Sequence, residues 1–364
     1  MQKIAVALSG GVDSSTCTAL MKAAGHDVFT ITLDLFPTED APNSTLRYAR
    51  HIADHLGVPH YICERHALFQ EQVIDPFVQQ YCRGETPLPC ARCNRHIKFG
   101  ALFEFARSLG AETLVTGHYV RKKEDPSGAV HLCRSLNDVK DQSYFLFNIK
   151  QDVLPHIAFP LGEFTKTNVR ALARLLGLPS HDRPESQDIC FVGRRSYTEF
   201  LLEHLSPDSI PRPGPVVDKQ GEILGEHPGL LYYTVGQRKG LPVALGYPAY
   251  VIGMDPESQT LILGQKEDLA CGGVLVHDVN WHCPPSTSTF SALAKVRSTQ
   301  DPVPAQVSLQ GEEMCVTFQE LEYGVALGQA CVLYEGERLL GGGWIAERLP
   351  REPHKALIGG GFVP

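Results

Sequence analysis

Apolar and polar positions in the N-terminal half follow the spacing of strands and helices in turn. The apolar run at positions 4–8 predicts a buried parallel strand, and the helical spacing of residues 14–24 predicts a helix that Gly25 ends. The pattern continues with strands predicted at 27–35, 60–63 and 114–116 and helices at 44–56, 69–81, 94–109 and from 165. This alternation predicts an α/β domain built on a mostly parallel sheet.

The pattern changes near residue 197. Four prolines between positions 207 and 215 predict a linker, and residues 229–241 fit a small central domain. From Cys271 onward, short alternating strands are predicted at 274–279, 292–298, 313–318, 330–334 and 339–345, which is typical of an antiparallel barrel or sandwich. We therefore divide the chain into residues 1–198, 199–268 and 269–364.

Composition narrows the class of protein. Of the 364 residues, 43% are hydrophobic and 20% charged, which predicts a globular chain, and no apolar run reaches the ~18 residues of a membrane span. The first strand follows Met1 almost directly, so we expect no signal peptide, no membrane and a cytoplasmic location. The net charge of −8 argues against a general nucleic-acid coat. In a reducing compartment, an odd count of 11 cysteines favours catalysis or metal binding over disulfides.

The first predicted strand leads directly into Ser-Gly-Gly-Val-Asp-Ser-Ser at positions 9–15. A glycine turn before a helix lets backbone amides approach an anion, and the helix N-terminus adds unpaired N–H groups. The hydroxyls of Ser9, Ser14 and Ser15 can donate to phosphate oxygens. Asp13 would repel phosphate unless a cation lies between them, so we interpret it as a Mg²⁺ anchor.

Other interpretations of this segment are weaker. It lacks the Gly-Lys-Ser/Thr of a Walker A loop and the Gly-x-Gly-x-x-Gly of a dinucleotide fold, although an ordinary glycine turn with an N-cap serine remains an alternative. The segment resembles the pyrophosphate loop, or PP-loop, of the ATP pyrophosphatase superfamily, whose members adenylate a carbonyl oxygen and release pyrophosphate.

Three cysteines have polar or proline neighbours rather than apolar ones: Cys90, Cys93 and Cys190. Cys90 and Cys93 form a Cys-x-x-Cys, and the helix expected from residue 94 would place Cys93 at a helix N-terminus. That position and nearby cations predict a lowered thiol pKa. The spacing alone is equally compatible with a redox pair, an iron–sulfur cluster, or a zinc site completed by His96 or His118.

Together these segments resemble the tRNA-specific 2-thiouridylases over nearly the whole chain. The matching segments are 9–15, 86–99, 116–119, 140–144, 159–162, 186–191, 233–240 and 340–343. The resemblance implies a PP-loop domain of the adenine nucleotide alpha hydrolase-like class, a small central domain and a C-terminal antiparallel β-barrel. It also implies ATP-dependent transfer of sulfur to C2 of the wobble uridine of tRNA, with Mg²⁺ as cofactor.

The resemblance carries residue roles with it. Contacts to ATP are implied for Ala7, Leu8, Ser9, Gly10, Gly11, Val12, Asp13, Ser14, Ser15, Leu33 and Gly117. Contacts to tRNA are implied for Leu88, Pro89, Cys90, Lys140, Asp141, Gln142 and Arg297. Asp13, Cys93 and Cys190 would be catalytic, with Cys190 receiving a persulfide from a donor protein and Cys93 completing the transfer.

Departures from the family pattern leave the sulfur source open. Cys90 stands where many members have Asp, so Cys90, Cys93 and Cys190 could instead hold a 4Fe–4S cluster that carries free sulfide. Leu88 stands where Asn is common, and Ser298 follows Arg297 where Tyr is usual. Two other functions compete: an amidotransferase-type synthetase with the same loop, and a zinc-bearing RNA-binding module.

Overall fold

The computed structural model describes residues 1–36, 44–184, 189–193, 195–205 and 212–350. The α-helices are α1 (Val12–Ala23), α2 (Ser44–Leu56), α3 (His66–Phe69), α4 (Asp75–Cys82), α5 (Pro89–Cys93), α6 (Leu102–Ser108), α7 (Lys166–Leu175) and α8 (Tyr197–His204). π-helical turns at Gln70–Ile74 and Asn94–Ala101 join α3 to α4 and α5 to α6. Short 3₁₀ turns lie at Asp138–Lys140, Ser143–Leu146, Gln151–His156, Leu230–Tyr232 and Lys266–Leu269.

Three sheets contain all of the strands in the described residues. The strands are β1 (Lys3–Ala7), β2 (Asp27–Asp34), β3 (His60–Glu64), β4 (Thr113–Val115), β5 (Arg121–Glu124), β6 (Val130–Cys133), β7 (Ile157–Ala158), β8 (Gly214–Val217), β9 (Ile223–His227), β10 (Tyr250–Asp255), β11 (Thr260–Gly264), β12 (Ala270–Trp281), β13 (Thr289–Lys295), β14 (Val303–Gln310), β15 (Glu313–Tyr323), β16 (Ala330–Glu335) and β17 (Arg338–Leu349).

The N-terminal sheet is parallel, in the order β3-β2-β1-β4-β7. Its central strand β1 is buried at Ile4, Ala5 and Val6, as expected for a strand covered on both faces. β2 pairs on one side of β1 and β4 on the other. This arrangement opens a crevice at the carboxyl ends of the strands, where α/β sheets bind ligands. The predicted α/β class with a parallel sheet is confirmed.

The C-terminal sheet is a closed antiparallel barrel. Six strands run in the order β12-β15-β14-β13-β16-β17, and β12 also pairs with β17 to close the ring. The sequence was compatible with either an antiparallel barrel or a sandwich, and the pairing of β12 with β17 shows that the domain is a barrel. In this sheet three strands were not predicted: β14, and β5 and β6, which form a hairpin that joins β17 through the pairing of Cys133 with Arg338.

A smaller four-stranded sheet, β10-β11-β8-β9, forms the central domain. The PP-loop domain and the barrel also share one apolar core, in which Leu114, Phe147 and Leu102 lie in the same cluster as Ala330 and Trp344. The barrel is thus packed directly on the N-terminal domain. In the residues that are described, no helix is long and apolar enough to cross a bilayer.

The helix around the cysteines begins earlier than expected. The prediction placed its start at residue 94, but α5 begins at Pro89 and the helical path continues to Ser108. Proline suits the first helical position because its missing N–H would be unpaired there. Cys93 therefore lies inside the helical segment, and Cys90, rather than Cys93, occupies the first turn.

Candidate nucleotide and sulfur-transfer site

A cavity of about 350 Å³ lies at the carboxyl ends of β1, β2 and β4. Its walls are formed by Ala7, Leu8, Ser9, Asp13, Ser14, Ile31, Thr32, Leu33, Leu35, Phe36, Thr45, Lys98, Leu102, Thr116, Gly117, His118 and Gln142. Apolar side chains from β2 and α6 face polar groups of the loop after β1. A cavity with one apolar wall and one polar end suits an aromatic base joined to a phosphate.

The loop between β1 and α1 is held by its own polar groups. The backbone N–H of Ser9 donates to Ser14 Oγ over 3.1 Å, and the hydroxyls of Ser9 and Ser14 are 3.2 Å apart. Gly10 has φ +71°, and a side chain there would meet Tyr48 and Ala49 within 3.0 Å. At the opposite wall, a Cβ on Gly117 would lie 3.0 Å from Asp13 Cβ. Glycine is therefore required at both positions for the loop and β4 to approach each other.

Two residues of the motif point away from the cavity. Ser15 is fully buried, and its hydroxyl donates to the Gly11 carbonyl over 2.8 Å. The contact of Ser15 with phosphate stays a prediction. In this arrangement its hydroxyl is bonded within the helix, as is that of Ser14, which also donates to the Gly11 carbonyl over 3.2 Å. Val12 is also buried, in the apolar cluster beneath α1, so only its backbone could face an anion.

The Asp13 carboxylate already has partners in this structure. Lys166 at the start of α7 places Nζ 2.7 and 2.9 Å from its two oxygens, and the Tyr119 hydroxyl donates to Oδ1 over 2.8 Å. Neither partner was predicted, since they lie 153 and 106 residues from Asp13 in sequence. A single carboxylate facing a phosphate site suits Mg²⁺, which keeps most of its water and phosphate ligands. The role of Asp13 as Mg²⁺ anchor stays a prediction, and it requires the metal to share Asp13 with Lys166.

Lys98 and His118 form a pair in the wall of the cavity. Lys98 Nζ lies 3.2 Å from His118 Nε2, and His118 Nδ1 lies 2.7 Å from Thr116 Oγ1. Burial, reinforced by the charge of Lys98, holds the pKa of His118 well below its usual range, so the ring is neutral. Because an ammonium group can only donate, Nε2 accepts from Lys98 and Nδ1–H donates to Thr116.

The fold brings Cys93 and Cys190 into one neighbourhood. Cys93 packs in the same apolar cluster as Phe191, which directly follows Cys190. A charge on Cys190 or Cys90 would raise the pKa of Cys93, and Lys98 lowers the pKa of all three thiols. Lys98 is thus the common neighbour of the cysteines and of the nucleotide cavity.

The thiols are less acidic than predicted. Burial raises the pKa of Cys93 to about 12, which outweighs the opposing effect of Lys98. The pKa values of Cys90 and Cys190 are also raised, chiefly because the surrounding protein removes solvent, although both residues reach the surface. The prediction of a low thiol pKa at Cys93 is therefore wrong for this arrangement, because its sulfur is inside the helical segment and buried.

The cysteines do not fit a cluster or zinc site as they stand. Within the described ranges, which include Cys90, Cys93 and Cys190, no three His, Cys, Asp or Glu side chains are arranged to hold a metal ion. A 4Fe–4S cluster requires three converging cysteine thiolates. Neither the cluster nor the zinc interpretation is carried further.

The residues predicted to contact tRNA divide into two groups. Leu88 and Pro89 are buried, and Asp141 is buried with hydrogen bonds from Ser135 N–H and the Ser143 hydroxyl. The tRNA contacts predicted for these three residues stay predictions, and in this arrangement their side chains pack inside the protein. Gln142 lines the nucleotide cavity and accepts a hydrogen bond from Tyr119 N–H over 2.9 Å. Three other residues are at least partly exposed: Lys140, Cys90 and Arg297. Their contacts with tRNA also stay predictions.

Comparison with known families agrees with this architecture. The profile of the tRNA methyl transferase HUP domain matches residues 2–194, that of the tRNA methyl transferase PRC-barrel domain matches 198–265, and that of the aminomethyltransferase beta-barrel domain matches 272–345. The tRNA-specific 2-thiouridylase MnmA of Geobacter metallireducens is 43% identical over 357 residues, which cover 94% of this chain and 96% of that protein. The chain belongs to the tRNA-specific 2-thiouridylase family.

Other 2-thiouridylases match at similar levels. The MnmA protein of Methylorubrum populi is 42% identical over 94% of this chain and 93% of its own length. Among solved structures, the U34-tRNA thiolase NcsA of Methanococcus maripaludis, with its [4Fe-4S] cluster, shares 20% identity over 57% of this chain and 68% of that chain, with a TM-score of 0.35. A structural likeness this weak does not bear on the cluster.

Proposed function

We propose that this chain is an ATP-dependent tRNA-uridine 2-sulfurtransferase that thiolates C2 of the wobble uridine. The observation that supports the proposal is that Lys98, in the wall of the PP-loop cavity, is also near Cys93 and Cys190, in a chain related to a 2-thiouridylase over 94% of its length. The same PP-loop could serve a synthetase, but a synthetase has no need for a cysteine pair beside the nucleotide.

The first half-reaction activates the uridine. Its C2 oxygen attacks the α-phosphorus of ATP, a new O–P bond forms, and pyrophosphate leaves with the electron pair. The loop around Ser9 and Ser14 and the N-terminus of α1 provide donors for the pyrophosphate oxygens. Mg²⁺, when bound at Asp13, supplies additional neutralisation of phosphate charge. Lys166 and Tyr119 orient the Asp13 carboxylate.

The second half-reaction delivers sulfur. A donor protein carrying a persulfide transfers its outer sulfur to Cys190, and that sulfur attacks C2 while AMP leaves with the C2–O electron pair. Cys93 then attacks the Cys190 sulfur, which releases 2-thiouridine and leaves a Cys93–Cys190 disulfide for a cellular dithiol to reduce. Solvent-exposed Cys190 is accessible to a donor, whereas buried Cys93 is protected until this step.

Access of the target base requires it to leave the anticodon stack, because the nucleotide cavity lies inside the crevice of the sheet. Exposed or half-exposed Lys140 and Arg297 provide cationic groups for tRNA phosphates. Arg297 lies within 3.9 Å of Glu322, so part of its charge is already balanced. We therefore expect tRNA binding to weaken with increasing salt.

Thiolation of tRNA in vitro tests the proposal. Purified protein with ATP, tRNA and a persulfide donor should form 2-thiouridine, measured by mass spectrometry of nucleosides. Cys93→Ala and Cys190→Ala should abolish the product and leave tRNA binding within a few-fold. Cys82→Ala is the matched control, since Cys82 is an exposed thiol outside the site. Loss of tRNA binding in the Cys93 or Cys190 variant would count against their assignment to sulfur transfer.

A double variant separates the proposed reaction from the synthetase alternative. Cys93→Ser combined with Cys190→Ser should still release AMP in the presence of tRNA but form no 2-thiouridine. A synthetase would keep its complete activity in this variant. Comparing free sulfide with the persulfide donor in the wild-type reaction identifies the chemical class of the sulfur source.

A further inference from the structure

The charged groups that line the nucleotide cavity are unequally neutralised. Among the described lining residues, Asp13 and Lys98 carry charge, and His118 is neutral. Asp13 is paired with Lys166, but no described carboxylate lies within ion-pair distance of Lys98. A half-buried ammonium group without a counter-ion is costly to desolvate, and it is retained where a ligand supplies the missing negative charge.

The local helix geometry aims Lys98 into this cavity. The segment Asn94–Ala101 is π-helical, and at its end the backbone N–H of Leu102 bonds to the Ile97 carbonyl five residues back. The wider π turn places residues five apart close to one face, which brings Lys98 towards the side occupied by Cys93. Gly100 permits this turn, since a Cβ there would lie 2.9 Å from the Arg95 carbonyl oxygen.

The neutral imidazole of His118 fixes the ammonium without neutralising it. One of the three N–H groups of Lys98 donates to His118 Nε2, and His118 Nδ1–H donates to the Thr116 hydroxyl on the other side of the ring. Two further N–H bonds of Lys98 remain for a ligand. His118 is thus a positioning residue, and the pair presents a preorganised cation in the polar wall of the cavity.

We propose that Lys98 is a further catalytic residue, which binds the α-phosphate of the bound nucleotide on the side of the cavity that faces the cysteines. This inference rests on the proposed function for the identity of the reaction. The loop residues Ser9 and Ser14 line the same cavity as Lys98, and Lys98 is also close enough to Cys90, Cys93 and Cys190 to lower the pKa of each thiol. We place the α-phosphorus beside Lys98, because this atom links the departing pyrophosphate to the uridine that sulfur attacks.

Lys98 would then act in both half-reactions without losing its proton. While the O–P bond forms and pyrophosphate leaves, its ammonium neutralises charge on the non-bridging α-oxygens. While the C–S bond forms, the same contact stabilises AMP as it leaves with the C2–O electron pair. A fixed cation that contacts the phosphoryl group in each transition state is the kind of group that electrostatic catalysis requires.

Binding of AMP and adenosine tests the phosphate contact without any thiolation. The wild-type chain should bind AMP more tightly than adenosine by calorimetry. In Lys98→Met, AMP affinity should fall at least tenfold and adenosine affinity should change less than threefold. Lys98→Arg should restore part of the AMP preference. Lys122→Met is the control, because Lys122 is a partly buried lysine that donates to the Pro155 and Ile157 carbonyls outside the cavity.

Stability distinguishes a catalytic role from a structural one. Removing an uncompensated ammonium should leave the melting temperature of Lys98→Met unchanged or higher, whereas a structural lysine would lower it. With tRNA and ATP, AMP release by the variant should fall about a hundredfold. AMP release by His118→Gln should decrease less than AMP release by Lys98→Met, because the carboxamide oxygen can still accept a hydrogen bond from Lys98.

The outcomes separate the two proposals. If Lys98→Met keeps wild-type AMP affinity, or releases AMP at a rate within threefold of wild type, the assignment of Lys98 is overturned. If the wild-type chain releases no AMP with tRNA but shows a Lys98-dependent preference for AMP over adenosine, the phosphate contact stands and the proposed thiolation fails.

Discussion

Cys93 shows how burial and charge compete at a single sulfur. The sequence places cations near this residue, and the structure confirms that Lys98 lowers its pKa. Desolvation is nevertheless larger, since the side chain packs among Ile97, Phe191 and other apolar groups. The Cys93 thiol is therefore protonated in this arrangement, which makes it less reactive towards oxidants.

Alkylation by iodoacetamide should reveal this protection. Because burial raises the pKa of Cys93 to about 12, very little of this thiol is ionised at pH 8, and the ionised fraction increases as the pH is raised. We expect Cys93 to react at least tenfold more slowly than exposed Cys82, measured by mass spectrometry of the individual peptides. Equal rates for the two residues in the folded protein would show that Cys93 is neither buried nor protonated as described.

The loop that contains Asp13 could be predicted from the sequence, but the side chains that contact the Asp13 carboxylate could not. The Ser-Gly-Gly-Val-Asp-Ser-Ser motif is contiguous, so it indicated the loop, its glycine requirement and the helix that follows. Lys166 and Tyr119 come from distant parts of the chain and carry no local signature. Lys166 approaches Asp13 because α7 packs against α1, and Tyr119 approaches it because β4 pairs with β1. Periodicity encodes neither arrangement.

Removal of the Lys166 charge should impair nucleotide activation. In Lys166→Met, Asp13 would keep its hydrogen bond from Tyr119 but lose its ion pair, leaving an unbalanced carboxylate near the phosphates. We expect at least a tenfold decrease in AMP release, partly restored by raised Mg²⁺. Lys22→Met, in the last turn of the same α1 helix, is the control. Unchanged AMP release in Lys166→Met would exclude a role for this ion pair.

At the scale of elements, the π-helical turn between α5 and α6 connects sulfur chemistry to nucleotide binding. Hydrophobic periodicity indicated a helix in this region but could not distinguish α from π geometry, which differ by less than one residue per turn. It also missed the helix start at Pro89, although proline at a first helical position is a known signal. The position of Lys98 relative to Cys93 follows from this turn.

Gly100→Ala tests whether the π geometry is required. In an ordinary helix this change is stabilising by up to about 1 kcal/mol. Here the new methyl group would lie 2.9 Å from the Arg95 carbonyl oxygen, so we expect destabilisation of about 1–2 kcal/mol in urea unfolding. Ser108→Ala, at an exposed position in α6, should change stability by less than about 0.5 kcal/mol. A more stable Gly100→Ala protein would contradict the described turn.

At the scale of the whole molecule, the segment after β6 joins the nucleotide cavity to the barrel. Gln142 lines the cavity, while Ser143 contacts the Tyr334 hydroxyl and Tyr144 donates to the Ala330 carbonyl of the barrel. The resemblance to 2-thiouridylases predicts that Lys140, Asp141 and Gln142 contact tRNA, and the local sequence gives no sign that any of them is buried. Only the fold reveals that the Asp141 carboxylate is enclosed between two domains.

The overall architecture was more predictable than this junction. Period-two and helical patterns indicated the parallel sheet and the C-terminal β domain, since each pattern arises within one element. Closure of the barrel through β12 and β17, and addition of the β5–β6 hairpin, depend on pairings between strands far apart in sequence. Such pairings are selected by the complete fold, and no local composition specifies them.

Asp141→Asn should weaken the junction between the PP-loop domain and the barrel. The Asp141 side chain is fully buried, with Arg134 Nε at 3.6 Å and Lys295 Nζ at 4.0 Å, and Lys295 comes from barrel strand β13. Neutralising the carboxylate leaves the nearly buried Lys295 ammonium without its main partner across the junction. Breaking a buried pair in this way costs about 3 kcal/mol, which urea unfolding should detect.

Asp138→Asn is the matched control for this change. Asp138 also pairs with Arg134, at 3.1 Å, but its side chain is 74% exposed. Its replacement should therefore cost less than about 1 kcal/mol. Because Asp141 also precedes Gln142 in the cavity wall, we expect Asp141→Asn, and not Asp138→Asn, to weaken AMP binding. Equal effects of the two substitutions on stability and AMP affinity would show that the junction is held by its apolar contacts, and that the buried charges do not couple the barrel to the nucleotide site.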